Sequence, residues 1–251
     1  MTSRLSALPL PEDPALPEGT WARLSAAGFV RAGQAVLDLG TGTGGLARTL
    51  AAQGCTVTAV DPAPEALAEA CRLAAAAGLE IRHAEARAEG TGLPEQSFDL
   101  VVAARAWGWF DRRLALTEAK RLLRPGGGLL ILEYDRLPLN DNVVDCTEHL
   151  IRSFTPAWRG HGGSGTFPGW LREIGEAGLT GIETFSFDTV ESYGHAAWVA
   201  LTGQRMASGI MAGEKLRRLE DLLRMLLRDR FPQQPLRVPH RFWAVHARLP
   251  A

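Results

Sequence analysis

The 251-residue sequence predicts an α/β fold: a mostly parallel, doubly wound sheet with helices on both faces, built as a single domain. Three observations predict it. Ala35-Val36-Leu37-Asp38-Leu39 runs into the glycine cluster Gly40-Thr41-Gly42-Thr43-Gly44-Gly45, a helical segment follows, and Thr56-Val57-Thr58-Ala59-Val60 ends on Asp61, which makes one strand–loop–helix–strand unit. Apolar runs and helical periodicity then keep alternating as far as residue 135. At 46% hydrophobic, the chain is also long enough to bury one core.

The elements read in order as follows. Residues 1–19 are proline-rich and are expected to be extended. A short helix over 21–27 stops at Gly28 and leaves Trp21 and Phe29 to pack in the core. The helix over 46–53 ends at Gly54. The next, over 65–77, sets Leu67, Ala70, Leu73 and Ala77 on one face and ends at Gly78. Strands follow over 80–85 and 98–104, the latter apolar enough to be covered on both faces. In Ala106-Trp107-Gly108-Trp109-Phe110-Asp111, Phe110 is expected to staple the next helix and Trp107 to line a pocket for a flat or apolar substrate. A helix over 112–123 is stopped by Pro125-Gly126-Gly127-Gly128, and the fifth strand, over 129–134, delivers Glu133, Tyr134 and Asp135 to its carboxyl end.

Beyond this point the texture changes. Residues 140–154 are amphipathic, with His149 off the apolar stripe, and are expected to cap the cleft mouth. Trp158-Arg159-Gly160-His161-Gly162-Gly163-Ser164-Gly165 has the hinge-rich backbone of a lid. Thr166 is placed to cap a helix over 169–177. A sixth strand over 182–187, helices over 193–210 and 214–230, and a last strand over 241–248 complete the chain. This divides the domain into a core over about 20–135 and 166–251, a cap over about 136–165 and an arm over 1–19.

Composition excludes several classes. A net charge of −1 provides no basic surface for nucleic acid, and Glu220, Asp221 and Asp229 interrupt Arg217, Arg218, Arg224 and Arg228. Cys55, Cys71 and Cys146 lack metal-ligand spacing and read as packing thiols in a reducing compartment. The amino terminus does not resemble a signal peptide, and no apolar run approaches the ~20 residues of a membrane span. The expectation is a cytoplasmic monomer or homodimer that engages no membrane.

The glycine cluster satisfies both G-x-G-x-x-G (Gly40, Gly42, Gly45) and G-x-G-x-G (Gly40, Gly42, Gly44), so the glycines do not choose a ligand. Asp38 does. It stands at the strand exit, where a dinucleotide would place its pyrophosphate, and two like charges about 4 Å apart cost roughly 4 kcal/mol at an effective dielectric near 20. The same carboxylate favours a ligand carrying an ammonium and a sulfonium. Asp61, at the end of the next strand, can accept the two hydroxyls of a ribose. No Gly-Lys-Ser/Thr follows, which excludes a P-loop.

VLDLGTGTG, AVDPAPEAL, GLPEQSFDLVV and RLLRPGG resemble the successive motifs of class I S-adenosylmethionine-dependent methyltransferases, over roughly residues 30–135. The ending PHRFWAVHARLP is similar to the tail of many bacterial small-molecule members of the type-11 group. The resemblance implies a Rossmann-like, seven-stranded sheet with an antiparallel last strand, S-adenosylmethionine as donor, S-adenosylhomocysteine as product, and a small-molecule acceptor. It implies that Asp38, Gly40, Thr41, Gly42 and Gly44 hold the methionine half. Asp61 and Pro62 would meet the ribose, and Ala88 and Glu89 the adenine, with Ala103 and Arg105 at the fourth strand's exit. The amino-terminal arm would fold over this cofactor. Ala103-Ala104-Arg105-Ala106-Trp107 stands where DNA-base methyltransferases carry their catalytic motif and where metal-dependent relatives carry an aspartate, so neither nucleic-acid methylation nor a metal is expected. Trp107, Tyr134 and Trp158 are the candidate acceptor-pocket residues. If a general base is needed, the candidates are His161, His149 and Glu133. The rival readings are a non-catalytic S-adenosylmethionine-binding sensor or partner subunit and an NAD-dependent oxidoreductase.

Overall fold

The computed structural model describes residues 16–158, 164–207 and 210–251. Along the chain run α1 (Thr20–Ala26), β1 (Ala35–Leu39), α2 (Gly45–Ala52), β2 (Thr56–Asp61), α3 (Pro64–Ala76), β3 (Ile81–Glu85), β4 (Phe98–Ala104), α4 (Arg112–Leu122) and β5 (Leu123–Arg136). After them come α5 (Val143–Phe154), α6 (Pro168–Glu176), β6 (Thr180–Tyr193), α7 (His195–Ala207), α8 (Gly213–Arg230) and β7 (Leu236–Arg248).

The seven strands form one sheet in the order β3-β2-β1-β4-β5-β7-β6, mostly parallel with helices around it. The pairs β1–β2, β1–β4, β2–β3 and β4–β5 are parallel. The last strands reverse. The Leu137 N–H donates to Pro239 O at 2.9 Å and the Leu249 N–H to Gly127 O at 2.9 Å, so β7 descends as β5 rises. Asp188–Arg241 and Phe187–Phe242 set β6 against β7 in the same opposed sense. The strand order turns back on itself at β1 and β4, and in open α/β sheets the crevice at that switch point, at the strands' carboxyl ends, takes the ligand.

Two compact units divide the chain. The first takes its described residues from 16–133, 167–185 and 244–251, and the second is 134–166 with 186–243. The division therefore follows a different line from a core interrupted only by a cap over 136–165, because α7, α8 and half of β7 join the second unit. In the first unit Leu37, Leu39, Val57, Val60, Leu100 and Val101 are buried, as strands covered on both faces require. In the second, α5, α7, α8 and the start of β7 share a core of Val143, Val144, Trp198, Val199, Leu223, Leu227, Leu236 and Val238. The Trp198 indole donates to Thr147 Oγ1 at 3.0 Å, which satisfies its buried N–H.

Several local expectations are corrected. Pro125-Gly126-Gly127-Gly128 does not interrupt the chain but lies within β5, while β6 and β7 extend well past 182–187 and 241–248. The added residues include Asp188, Glu191, Arg237 and Pro239, which break the apolar alternation that marks a strand. Thr166 is not the cap of α6, whose N-cap is Phe167 and lacks a side-chain bond. Cys55 and Cys146 are buried as packing thiols, whereas Cys71 is exposed. Trp109 is 69% exposed.

One buried group makes stability acid-sensitive. His246, stacked on Phe29 with ring centroids 4.2 Å apart, is held neutral down to a pKa of about 4 from the usual 6.5, first by burial and then by the Arg248 charge. Between pH 6.5 and about 4 the unfolded chain takes up a proton that the folded imidazole refuses, so the fold loses stability as pH falls through that window. The loss from this residue alone is expected to be about 3 kcal/mol. Thermal melts of wild type and His246→Leu across pH 4–7 check this: the variant should show the flatter acid limb.

Candidate functional site

The glycine loop is shaped by residues whose backbone no other side chain would allow. Gly40, Gly42 and Gly44 have φ of 69°, 55° and 78°, in the left-handed region. A Cβ on Gly40 would stand 2.7 Å from Ala106 Cβ and 3.1 Å from the Phe110 ring, and one on Gly44 3.0 Å from Ala70 Cβ. The Gly40 and Thr41 N–H groups both donate to Val60 O, at 2.9 and 3.0 Å, which pins the loop over the end of β2.

Two carboxylates organise the loop. Asp38, 1% exposed, accepts the Thr41 hydroxyl on Oδ2 at 2.7 Å. Asp61 accepts the Gly42 N–H on Oδ2 and the Ala63 N–H on Oδ1, each at 2.9 Å. Each Asp61 oxygen retains a further lone pair, so these bonds leave capacity for a ligand hydroxyl. Pro62, between the two partners, is exposed. The Thr43 hydroxyl is buried within the loop and has no hydrogen-bond partner among the described residues.

A cavity of about 500 Å³ opens beside the loop, lined among others by Asp38, Gly40, Thr41, Arg48, Arg105 and Trp21. Trp21 is thus half-buried at a groove, not a core residue. Arg48 is a lining residue that sequence reading missed. Its place one turn into α2, on the loop side, was the available signal, and its Nη1 donates to Thr43 O at 2.6 Å. Arg105 enters with a φ of 56°, rare for a side-chain-bearing residue, while its N–H donates to Leu132 O at 2.8 Å. Strain of this kind collects at ligand sites. Ala103, just before, is fully buried in β4.

The loop after β3 is a tight turn. Arg87 and Gly90 form an isolated antiparallel bridge around buried Ala88. Glu89 Oε1 accepts the Asp111 N–H at 2.9 Å and Oε2 lies 3.3 Å from Arg87 Nε, so the side chain ties this turn to the cap of α4. Asp111 in turn caps α4 by accepting the Leu114 N–H at 3.1 Å.

The acceptor-side residues fall differently from expectation. Trp107 is fully buried, edge-on to Phe110 at 5.8 Å, with an indole N–H that has no hydrogen-bond partner among the described residues, so it lines no open pocket. Phe110 packs under Gly40, which gives it a loop-supporting role. The Tyr134 hydroxyl bonds to Thr189 Oγ1 at 2.7 Å and to Glu191, and burial with Glu191 pushes its pKa well up, which ties it to β6 instead of a pocket. The Trp158 indole N–H donates to Glu148. His149 is exposed, with Nδ1 2.9 Å from Asp145 O and 3.3 Å from its carboxylate. Glu133 is buried at 8% exposure near the end of β5. His161 and most of the proposed lid lie outside the described residues, as does most of the amino-terminal arm. No group of three or more metal-ligating side chains occurs among the described residues, and no described helix is long and apolar enough to cross a membrane.

A parallel sheet with this switch point carries a glycine loop over β1 and acids ending β1 and β2. Residues 36–127 match the family described as a methyltransferase domain. Over 111 residues it is 44% identical to a demethylmenaquinone methyltransferase of Thermus thermophilus, covering 43% of this chain and 50% of that one. The chain spans about half the length of the curated relatives it matches. The YcgJ protein of Bacillus subtilis superposes at TM-score 0.63 with 20% identity, over 92% of this chain and 97% of that one. A Haemonchus contortus phosphoethanolamine N-methyltransferase in complex with S-adenosyl-L-methionine superposes at TM-score 0.53 with 20% identity, over 92% and 52%.

Proposed function

We propose that this protein transfers a methyl group from S-adenosylmethionine to a small-molecule acceptor. The observation that carries the proposal is the buried Asp38 carboxylate at the wall of the glycine-loop cavity. At the strand exit its negative charge favours an ammonium or sulfonium over a phosphate, while Arg48 and Arg105 stand as cations elsewhere on the same lining. The fit is supported by a loop whose backbone a Cβ would block and by the unpartnered Thr43 hydroxyl inside it. When bound, the cofactor supplies a methyl group already activated for displacement by its sulfonium.

The chain's residues then have to bind and orient. Asp38 and the Gly40–Gly44 loop would hold the methionine half, Asp61 the ribose and the buried Ala88 turn the adenine. Holding the acceptor in line can supply roughly 7–11 kcal/mol, so orientation is the main catalytic contribution. A base is needed only for an acceptor protonated at neutral pH, and His149 and Glu133 are the described candidates. The test is release of S-adenosylhomocysteine on a panel of quinol, amine, phosphoester and acyl-carboxylate acceptors, each against a blank without acceptor. Turnover on one class supports the proposal. Cofactor binding without turnover on any would favour the sensor reading.

A further inference from the structure

Arg136, at the carboxyl end of β5, is a half-buried cation held against aromatic faces. Its guanidinium carbon lies 5.0 Å from the Trp198 ring centroid and 5.8 Å from that of Tyr193. Among the described residues no carboxylate stands within ion-pair distance of it. Ring faces offset only part of the cost of half-burying a guanidinium, and the Arg136 N–H groups still reach solvent.

The second unit supplies another cation close by. Arg205 lies over the Trp158 ring at 4.7 Å and its Nη1 pairs with Glu148 Oε1 at 3.1 Å. Glu148 also accepts the Trp158 indole, so its charge is committed to that pair. Burial, with the nearby Arg136 charge adding to it, depresses the pKa of Arg205, while Glu148 and Asp135 act the other way. The arrangement is therefore two guanidinium groups on three aromatic rings, with the carboxylates serving Arg205 and none serving Arg136.

We propose that Arg136, assisted by Arg205, is an anion-binding site that takes the carboxylate or phosphate group of a small ligand. Arginine presents a planar fork of donors matched to either group, and a charge-assisted bond in a partly dry setting is the arrangement that holds one. The aromatic rings fix where the guanidinium sits before the ligand arrives. This inference stands apart from methyl transfer, since nothing in it requires the glycine loop.

The test uses the full chain, titrated calorimetrically with sodium malonate and with inorganic phosphate at constant ionic strength, against chloride. Wild type should bind at least one of the two saturably, and the tighter one names the group. Arg136→Gln should weaken that binding at least about tenfold, while Arg217→Gln, a charge change on the exposed face of α8, leaves it unaltered. Arg136→Lys, which keeps charge but loses the fork, should fall between, and it decides the matter if Arg136→Gln fails to fold. A separate titration with S-adenosylmethionine keeps this result distinct from that of the glycine loop. Absence of saturable binding in wild type, or equal affinity in Arg136→Lys and in a folded Arg136→Gln, overturns the proposal.

Discussion

Gly40→Ala is expected to destabilise the protein by about 2–5 kcal/mol and to abolish measurable S-adenosylmethionine binding. Two costs add. Alanine at a φ of 69° sits in a conformation that L side chains resist, by about 1–2 kcal/mol. The new methyl group would also stand 2.7 Å from Ala106 Cβ and 3.1 Å from the Phe110 ring, and neither neighbour is the free end of a flexible side chain. The loop must move, and with it the N–H groups of Gly40 and Thr41 that bond to Val60. Adding Ala106→Gly removes the closest contact but neither the backbone strain nor the Phe110 contact. The double variant should recover part of the lost stability, as read by chemical denaturation. Full recovery would show that the backbone conformation costs nothing.

Asp61→Ala carries the second large effect. Its carboxylate accepts two backbone N–H groups, from Gly42 across the loop and from Ala63 beside it. Bonds to a charged group are worth roughly 1.5–3 kcal/mol, so the truncation should cost about 2–4 kcal/mol of stability and weaken cofactor binding at least about tenfold. Asp61→Asn retains one acceptor oxygen and should lose less of both. Calorimetry on the folded variants reads the affinity. Unchanged affinity in Asp61→Ala would remove this residue from the site.

Much of the first unit was legible because its signals are local. The glycine loop declares itself through residue types that a positive φ demands, and β4 was read to the residue from an apolar run bounded by turns. Gly54 and Gly78 end their helices with φ of 85° and 65°, as helix-terminating glycines do. What escaped depends on partners distant in sequence. Trp107 stands at a strand exit like a pocket residue, yet it is buried against Phe110, which in turn supports Gly40. Tyr134 exits β5 as expected, but its hydroxyl is claimed by Thr189 and Glu191, 55 and 57 residues on. Arg136 drew no notice because a single arginine after a strand has no motif. Its meaning lies in Trp198 and Tyr193, which the fold brings to it.

The choice of cofactor rests on the Asp38 carboxylate, and one calorimetric comparison tests it: S-adenosylmethionine and NAD titrated into wild type and into Asp38→Asn. Wild type should bind the sulfonium compound and give no heat with the dinucleotide, and Asp38→Asn should lose most of that preference. Binding of NAD in preference to S-adenosylmethionine by wild type would contradict the account.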